Sequence, residues 1–232
     1  MSSPLKQFDL AQETGLRELN GWLHANTSLT PLPSVRVLNP DGAHAIACGA
    51  DAPYDIDVMG HAGYYVAGMN KHARVTVHGN ASTGAAENMM SGEVRIKGFA
   101  STSAGASAHG GCLIIEGDAS LRCGISLKGA DIVVGGNVGS FSAFMAQAGR
   151  LVICGDAGDA LGDSLYEAVI YVRGKVASLG ADARYEDMTP ADLVAVEALL
   201  KRAGFPHEAH GFRKVTSARS LYHWNADANQ EY

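Results

Sequence analysis

Seven glycines recur at a constant interval along most of this 232-residue chain. Each ends a short β-like segment and stands 19 residues after the one before it: Gly60, Gly79, Gly98, Gly117, Gly136, Gly155 and Gly174. Aliphatic residues precede every one of these glycines by two and by four positions, and Ala or Val follows each by two. A fixed period with fixed apolar positions is typical of a solenoid, and the two-residue alternation indicates a β-solenoid.

The repeats predict an all-β solenoid, a right-handed parallel β-helix of about seven 19-residue turns over residues 35–186. The alternative, a left-handed hexapeptide helix, predicts a period of about 18 residues and a six-residue subperiod that this sequence lacks. The recurring glycines are interpreted as corners, where they supply the backbone angles of a tight turn. Residues 35–49 fit the repeat imperfectly, with Val37, Ala43 and Cys48 at repeat positions, and are interpreted as a degenerate first turn.

The two ends of the chain lack the repeat. Residues 1–34 are predicted to form an N-terminal arm with a short helix over 13–24, capped by Thr14. Residues 187–204 predict a capping helix, because Thr189 is a good N-cap, Pro190 follows it and Gly204 ends the apolar pattern. We expect this helix to cover the unpaired edge of the last turn. Residues 205–232 are predicted to be an extended tail that docks on a partner.

One outward position of the repeat changes character along the solenoid. The residue between the two aliphatics is Asp57, Thr76 and Arg95 in the first turns, and is then apolar in four successive turns: Ile114, Val133, Val152 and Tyr171. We call these four residues the apolar stripe and predict that it is a partner interface. The alternative is cover by the terminal helix or tail of the chain itself. Five tail residues of types common in interfaces are added to the predicted interface: Phe212, Arg213, Arg219, Tyr222 and Trp224.

No catalytic, cofactor-binding or metal-binding residues are predicted from the sequence. The segment GDAGDALGD at 155–163 has the glycines of a phosphate loop, but a β-strand pattern follows it instead of a helix. His207 and His210 give a weak hint of a metal site. A net charge of −6 without charged blocks argues against non-specific nucleic-acid binding. The absence of a long apolar run or a signal-peptide core predicts a cytoplasmic protein with no membrane span and with reduced cysteines.

The repeated stretch GNVGSFSAFMAQAGRLVICGDAGDALGDSLYEAVIYVRG resembles the GXGXG domain over about residues 35–186. That family includes the C-terminal β-helix of the glutamate synthase large chain and the β-helix subunit of formylmethanofuran dehydrogenase. The stretches VASLGAD and GFRKVTSARSLYHWNAD are similar to the small β-helix subunit of N-methylglutamate synthase and of three-part glutamate synthases.

The resemblance implies a non-catalytic subunit that holds an amidotransferase-like subunit and an FMN/iron–sulfur subunit together in a hetero-oligomer. In such a complex, methylamine and glutamate give N-methylglutamate and ammonia, and this chain carries no cofactor. Two alternatives are the equivalent subunit of a glutamate synthase and that of a formylmethanofuran dehydrogenase or formyltransferase/hydrolase complex. A third is a free-standing β-helix enzyme acting on carbohydrate, which would need a carboxylate-lined outer groove that the outward positions do not offer.

Overall fold

The computed structural model of the protein describes residues 5–219. Two α-helices and one 3-10 helix accompany the strands: α1 Gly15–Ala25, α2 Pro190–Ala203 and the 3-10 helix Ala209–Gly211. The strands are β1 Leu5–Asp9, β2 Ser34–Leu38, β3 Asp55–Val58, β4 Arg74–Val77, β5 Glu93–Ile96, β6 Cys112–Ile115, β7 Lys128–Val134, β8 Ala148–Ile153, β9 Val169–Val172, β10 Ala183–Glu186 and β11 Arg213–Ser217.

The strands form one sheet in the order β1-β2-β3-β4-β5-β6-β7-β8-β9-β11-β10, and β1 to β9 are parallel. From β3 onward, residues 19 apart pair with each other, as Ile56 with Val75 and Val75 with Val94. The repeated aliphatic side chains therefore stack inside the coil, where Val75 and Val94 are fully buried. The predicted parallel β-solenoid of about seven 19-residue turns is confirmed.

The recurring glycines stand at the bend after each strand, but only Gly60 among the seven has a positive φ. The prediction that they supply special backbone angles is therefore wrong for the other six. Their role is steric: a Cβ on Gly155 would lie 2.5 Å from Asn137 Oδ1 and 2.6 Å from the carbonyl carbon of Gly136. Successive turns approach too closely at this bend for any side chain.

The space that these glycines leave is filled by a ladder of Asn and Asp side chains. Each accepts a hydrogen bond from the backbone amide one turn further on: Asn80 from Phe99 at 3.1 Å, Asp118 from Asn137 at 2.7 Å, Asn137 from Asp156 at 2.8 Å and Asp156 from Lys175 at 2.7 Å. The ladder satisfies amides at the bend and ties neighbouring turns together.

A second recurring feature is a five-residue segment in which the first, third and fifth residues all have positive φ. We call these αL segments; they span 45–49, 65–69, 84–88, 103–107, 122–126, 141–145 and 160–164. The third residue is always Ala or Gly and is buried, because it packs inside the coil. The first and fifth residues include Tyr65, Met69, Phe141 and Met145, whose side chains point away from the core and are exposed.

The first turn has a different length from the rest. Val35 pairs with Ile56 and Val37 with Val58, an offset of 21 residues. The 19-residue interval predicted from the sequence would pair Val37 with Ile56, and that placement is wrong. The additional residues lie in the bend after β2, where Asn39 and Asp41 have φ of 47° and 41°.

The N-terminal end of the coil is closed by the first helix. The predicted helix is α1, with Leu19 and Leu23 fully buried in the solenoid core. The Tyr54 hydroxyl donates to Leu23 O at 3.0 Å, and Asn20 Nδ2 donates to Ala45 O at 2.9 Å. Thr14 occupies the N-cap position without the capping hydrogen bond. Strand β1, which the sequence did not predict, extends the sheet beyond β2.

The C-terminal end is closed differently from the prediction. Instead of α2, the antiparallel pair β10 and β11 covers the edge of the last parallel strand, with β11 between β9 and β10. Val215 of β11 is fully buried in the solenoid core. Residues 205–219 are thus part of the fold instead of a tail appended to it, and their docking on a partner stays a prediction. Residues 220–232 lie outside the described part of the chain.

Two further findings concern the helices and the cysteines. No helix within residues 5–219 is long and apolar enough to cross a membrane. All four cysteines, Cys48, Cys112, Cys123 and Cys154, are free thiols.

Candidate functional site

The apolar stripe is covered by the chain itself. Its four residues are 0–2% exposed and form a second core with helix α2. The residues that cover it include Val196, Leu199, Leu200, Ala203 and Phe212. The prediction that Ile114, Val133, Val152 and Tyr171 form a partner interface is therefore wrong, and the alternative of cover by the terminal helix is correct. Burial of this many aliphatic groups stabilises α2 on the sheet by several kcal/mol, at roughly 1.5–3 kcal/mol per side chain.

The C-terminal end of α2 is fixed by an arginine at the same outward position of the repeat, one turn before the stripe begins. Arg95 donates to Ala203 O at 3.0 Å and to Arg202 O at 3.1 Å, and it pairs with Glu116 at 2.9 Å. A cation at a helix C-terminus interacts favourably with its unpaired carbonyls. The outward position thus changes from polar to apolar where the covering helix starts to lie over it.

The N-terminal end of α2 is fixed by a polar cluster around the buried Asp192. Thr189 and Asp192 form a reciprocal capping box. Asp192 also accepts hydrogen bonds from the Tyr171 hydroxyl at 2.6 Å and from Lys214 Nζ at 3.0 Å. Burial raises the pKa of Asp192, but the hydrogen bonds outweigh burial and the net pKa lies well below its usual value. Burial, aided by the bond to Asp192, raises the pKa of Tyr171.

The predicted tail contacts are intramolecular where the structure describes them. Phe212 is buried against the stripe. Arg213 donates to Gly174 O, and its guanidinium lies 5.2 Å from the centre of the Tyr185 ring. Arg219 pairs with Asp182. Tyr222 and Trp224, the other two predicted interface residues of the tail, lie outside the described residues.

Reactive side chains are few and shielded in the described part of the chain. Burial raises the pKa of the Cys112, Cys123 and Cys154 thiols to about 12, so they stay protonated at neutral pH. Burial also raises the pKa of Cys48. No group of three His, Cys, Asp or Glu residues that could hold a metal ion occurs among residues 5–219, and this includes the surroundings of His207 and His210.

The apolar stripe is buried, but several large apolar side chains on the αL segments are exposed. Tyr65 and Met69 are 46% and 54% exposed, and Phe141 and Met145, at the same two positions four turns later, are 44% and 39% exposed. Two neighbouring exposed residues, Tyr64 and Leu121, each immediately precede an αL segment. Tyr, Phe and Met are enriched in protein interfaces. We call the surface formed by the five αL segments from 65–69 to 141–145 and the residues next to them the αL face, and it is the candidate docking surface.

The centre of the αL face is small and polar. The first and fifth positions of the three middle αL segments are Gly84, Asn88, Ser103, Ser107, Arg122 and Ser126. Among the described residues, Arg122 is exposed and forms no ion pair within 4.0 Å. Glu87 is the other charged residue in these segments, and burial raises its pKa. Low charge density between apolar groups is the composition of an interface core.

Comparison with known proteins gives a relative over nearly the whole chain. No protein-family model matches the sequence. The curated protein "Protein GlxC" of Rhizobium meliloti (strain 1021) is 53% identical over 229 residues, which cover 97% of this chain and 99% of that protein. The chain belongs to the GlxC family. The match to GlxC extends over nearly the full length of both proteins, so it includes the terminal elements α1, α2 and β11 as well as the repeats.

Proposed function

We propose that this chain is a non-catalytic structural subunit of a glutamate synthase-type complex. The most specific form of the proposal is N-methylglutamate synthase, in which methylamine and glutamate give N-methylglutamate and ammonia. The observation that carries it is the αL face, an interface-like surface on a rigid solenoid whose own apolar stripe is already covered. Membership of the GlxC family and the resemblance of the repeats to the glutamate synthase β-helix support the same assignment.

The chemistry is assigned to partner subunits: an amidotransferase-like subunit and an FMN-binding, iron–sulfur subunit. The described residues of this chain support that division, because an iron–sulfur cluster is bound by several convergent Cys thiolates and no group of three His, Cys, Asp or Glu residues that could hold a metal ion occurs among residues 5–219. The proposal also places the complex in the cytoplasm, where free cysteines are the rule.

The test is purification of the assembly from its native cells through an affinity tag on this chain, followed by mass spectrometry and an activity assay. We expect two further subunits in constant ratio, with flavin and iron, and formation of N-methylglutamate from methylamine and glutamate. Formation of glutamate from glutamine would instead support the glutamate synthase alternative. Formyl-transferring partners would support the formylmethanofuran dehydrogenase type. Catalytic activity of the chain without partners would overturn the proposal.

A further inference from the structure

Two pairs of large exposed side chains stand on either side of three αL segments with mostly smaller ones, and we call the pairs walls and the space between them the depression. One wall is Tyr65 and Met69, and the other is Phe141 and Met145. Each pair occupies the first and fifth positions of an αL segment, so the two walls are parallel and lie four turns apart. The three intervening segments, 84–88, 103–107 and 122–126, carry mostly small side chains at these positions and form the floor. Two charged side chains lie in the floor segments: Glu87, whose carboxylate lies at Gly84 where the Tyr65 ring also lies, and Arg122 in the segment next to Phe141.

The width of the depression fits an α-helix. Successive turns of a parallel sheet are about 4.8 Å apart, which puts the wall segments roughly 19 Å apart. The Tyr65 ring leans over the first floor segment, since a Cβ on Gly84 would lie 2.6 Å from its ring carbons. About three turns, or roughly 14 Å between backbone centres, then remain between Gly84 and Phe141. A helix with its side chains is about 10–12 Å across.

The charge on the floor indicates what such a helix must carry. The Arg122 guanidinium is exposed between apolar walls and has no carboxylate within 4.0 Å among residues 5–219. Closing the depression over an unpaired guanidinium would be costly, whereas a carboxylate on the occupant would pair with it. Apolar side chains on the two flanks of the occupant would meet Tyr65 and Met69 on one wall and Phe141 and Met145 on the other.

We infer that an α-helix of a partner subunit lies in this depression, parallel to the αL segments, with an acidic side chain opposite Arg122. The inference rests on the proposed function, because the partner is a subunit of the same complex. It goes further by naming the surface of this chain that binds, the secondary structure of the bound element and the charge of its central residue.

The direct test is photo-cross-linking in the native complex, with p-benzoylphenylalanine in place of Ser107 on the floor. The matched control replaces Ser164, which stands at the same repeat position three turns away and beyond the Phe141 wall. We expect position 107 to cross-link to a partner helix at residues spaced three or four apart and near an Asp or Glu. Position 164 should give no cross-link to that helix. Cross-links from position 107 to a second copy of this chain, or to residues 220–232, would overturn the inference.

A second test fills the depression without disturbing the fold. Ser103→Tyr places a large ring on the floor, and the backbone tolerates it because Tyr65 and Phe141 already adopt φ of 60° and 58° at this position. We expect affinity for the partner subunits to fall by about tenfold or more, and Arg122→Glu to have a similar effect. The controls Ala160→Tyr, at the same repeat position outside the depression, and Arg17→Glu on α1 should bind as the wild type does.

The outcomes separate this inference from the proposed function. If the wild-type complex forms and the Ser103→Tyr chain binds as tightly, the helix-binding depression is wrong and the proposed function stands. If the wild-type chain recruits no catalytic subunits, both fail. Thermal melting of each variant shows whether the fold is intact, and the cross-linking result decides the question for any variant that melts early.

Discussion

The Tyr171 hydroxyl lies 2.6 Å from Asp192 Oδ1 and joins the last parallel strand of the solenoid to the first turn of the helix that covers it. Tyr171 is at once the last residue of the apolar stripe and the donor of this hydrogen bond. Its ring packs under α2 while its hydroxyl reaches the capping box. The same side chain therefore fixes both the surface and the end of the helix.

Replacing Tyr171 by Phe removes the hydroxyl and keeps the ring. We expect the free energy of unfolding to fall by about 1.5–3 kcal/mol, because a buried hydrogen bond to a carboxylate is lost. Urea denaturation measures the change. Tyr64→Phe is the control, since the Tyr64 ring is exposed and stacks on His44, and we expect no change there. Equal stability of the two variants would show that the Tyr171–Asp192 bond contributes nothing.

Asp192 predicts a specific dependence of stability on acid. Burial raises the pKa of Asp192, but hydrogen bonds from Thr189, Tyr171 and Lys214 lower this pKa by a larger amount. Its folded-state pKa therefore lies below the unfolded value of about 3.9. A carboxyl group with a lowered pKa contributes stability above its unfolded pKa and loses it as the pH falls through the folded pKa. We expect Asp192→Asn to be less stable than wild type at pH 6, with the gap closing below about pH 4.

The control for this pH dependence is Asp187→Asn, because Asp187 is an exposed residue outside the capping box. Its stability curve should follow that of the wild type from pH 6 to pH 3. A constant difference between Asp192→Asn and wild type over that range would contradict the assigned role of the carboxylate.

The sequence predicts the repeated part of this fold well, because each turn restates the same pattern and a single period fixes the register of β3 to β9. It fails where pairing is non-local. Strand β11 pairs between β9 and β10, although it lies about 40 residues after β9 in the chain. Its five residues, Arg213–Ser217, form too short a pattern to indicate which strands it pairs with. The length of the first turn was not predicted for another reason, because its two additional residues lie in a bend and leave the strand pattern intact.

The sequence predicts both the apolar stripe and the helix that covers it. The predicted capping helix over residues 187–204 includes Val196, Leu199 and Leu200, which are among the residues that bury the stripe. An exposed apolar row and an amphipathic helix on the same chain are complementary, but the sequence does not say which surface the helix lies on. The αL face was missed because its side chains are variable, whereas its positive φ angles repeat in every turn.

The recurring glycines give a prediction about close packing. Gly136→Ala would place a Cβ against Asp118 Oδ1 and 3.0 Å from the Gly117 carbonyl carbon, so we expect a loss of about 1–3 kcal/mol. The control is Gly21→Ala in α1, where a Cβ meets nothing within 4 Å and helix propensity favours Ala. Thermal denaturation should show opposite shifts for the two variants. An unchanged melting temperature for Gly136→Ala would refute the steric role of the recurring glycines.

The structure also predicts which C-terminal truncation the fold tolerates. A chain ending at Gly204 lacks β11 and loses the burial of Phe212 and Val215, which leaves the edge of β9 open. We expect it to melt at a lower temperature or to aggregate. A chain ending at Arg219 keeps every described contact, and we expect it to melt at a higher temperature than the chain ending at Gly204. Similar melting of the two truncated chains would show that β11 is dispensable.

The central claim, that this chain is a docking subunit and its partners carry the chemistry, is tested most directly by absorption spectroscopy. The spectrum of the assembly purified from native cells is compared with that of the chain expressed alone. We predict flavin and iron–sulfur absorption in the assembly, and protein absorption alone in the separate chain. A flavin or iron–sulfur spectrum from the separately expressed chain, bound in stoichiometric amount, would contradict the claim.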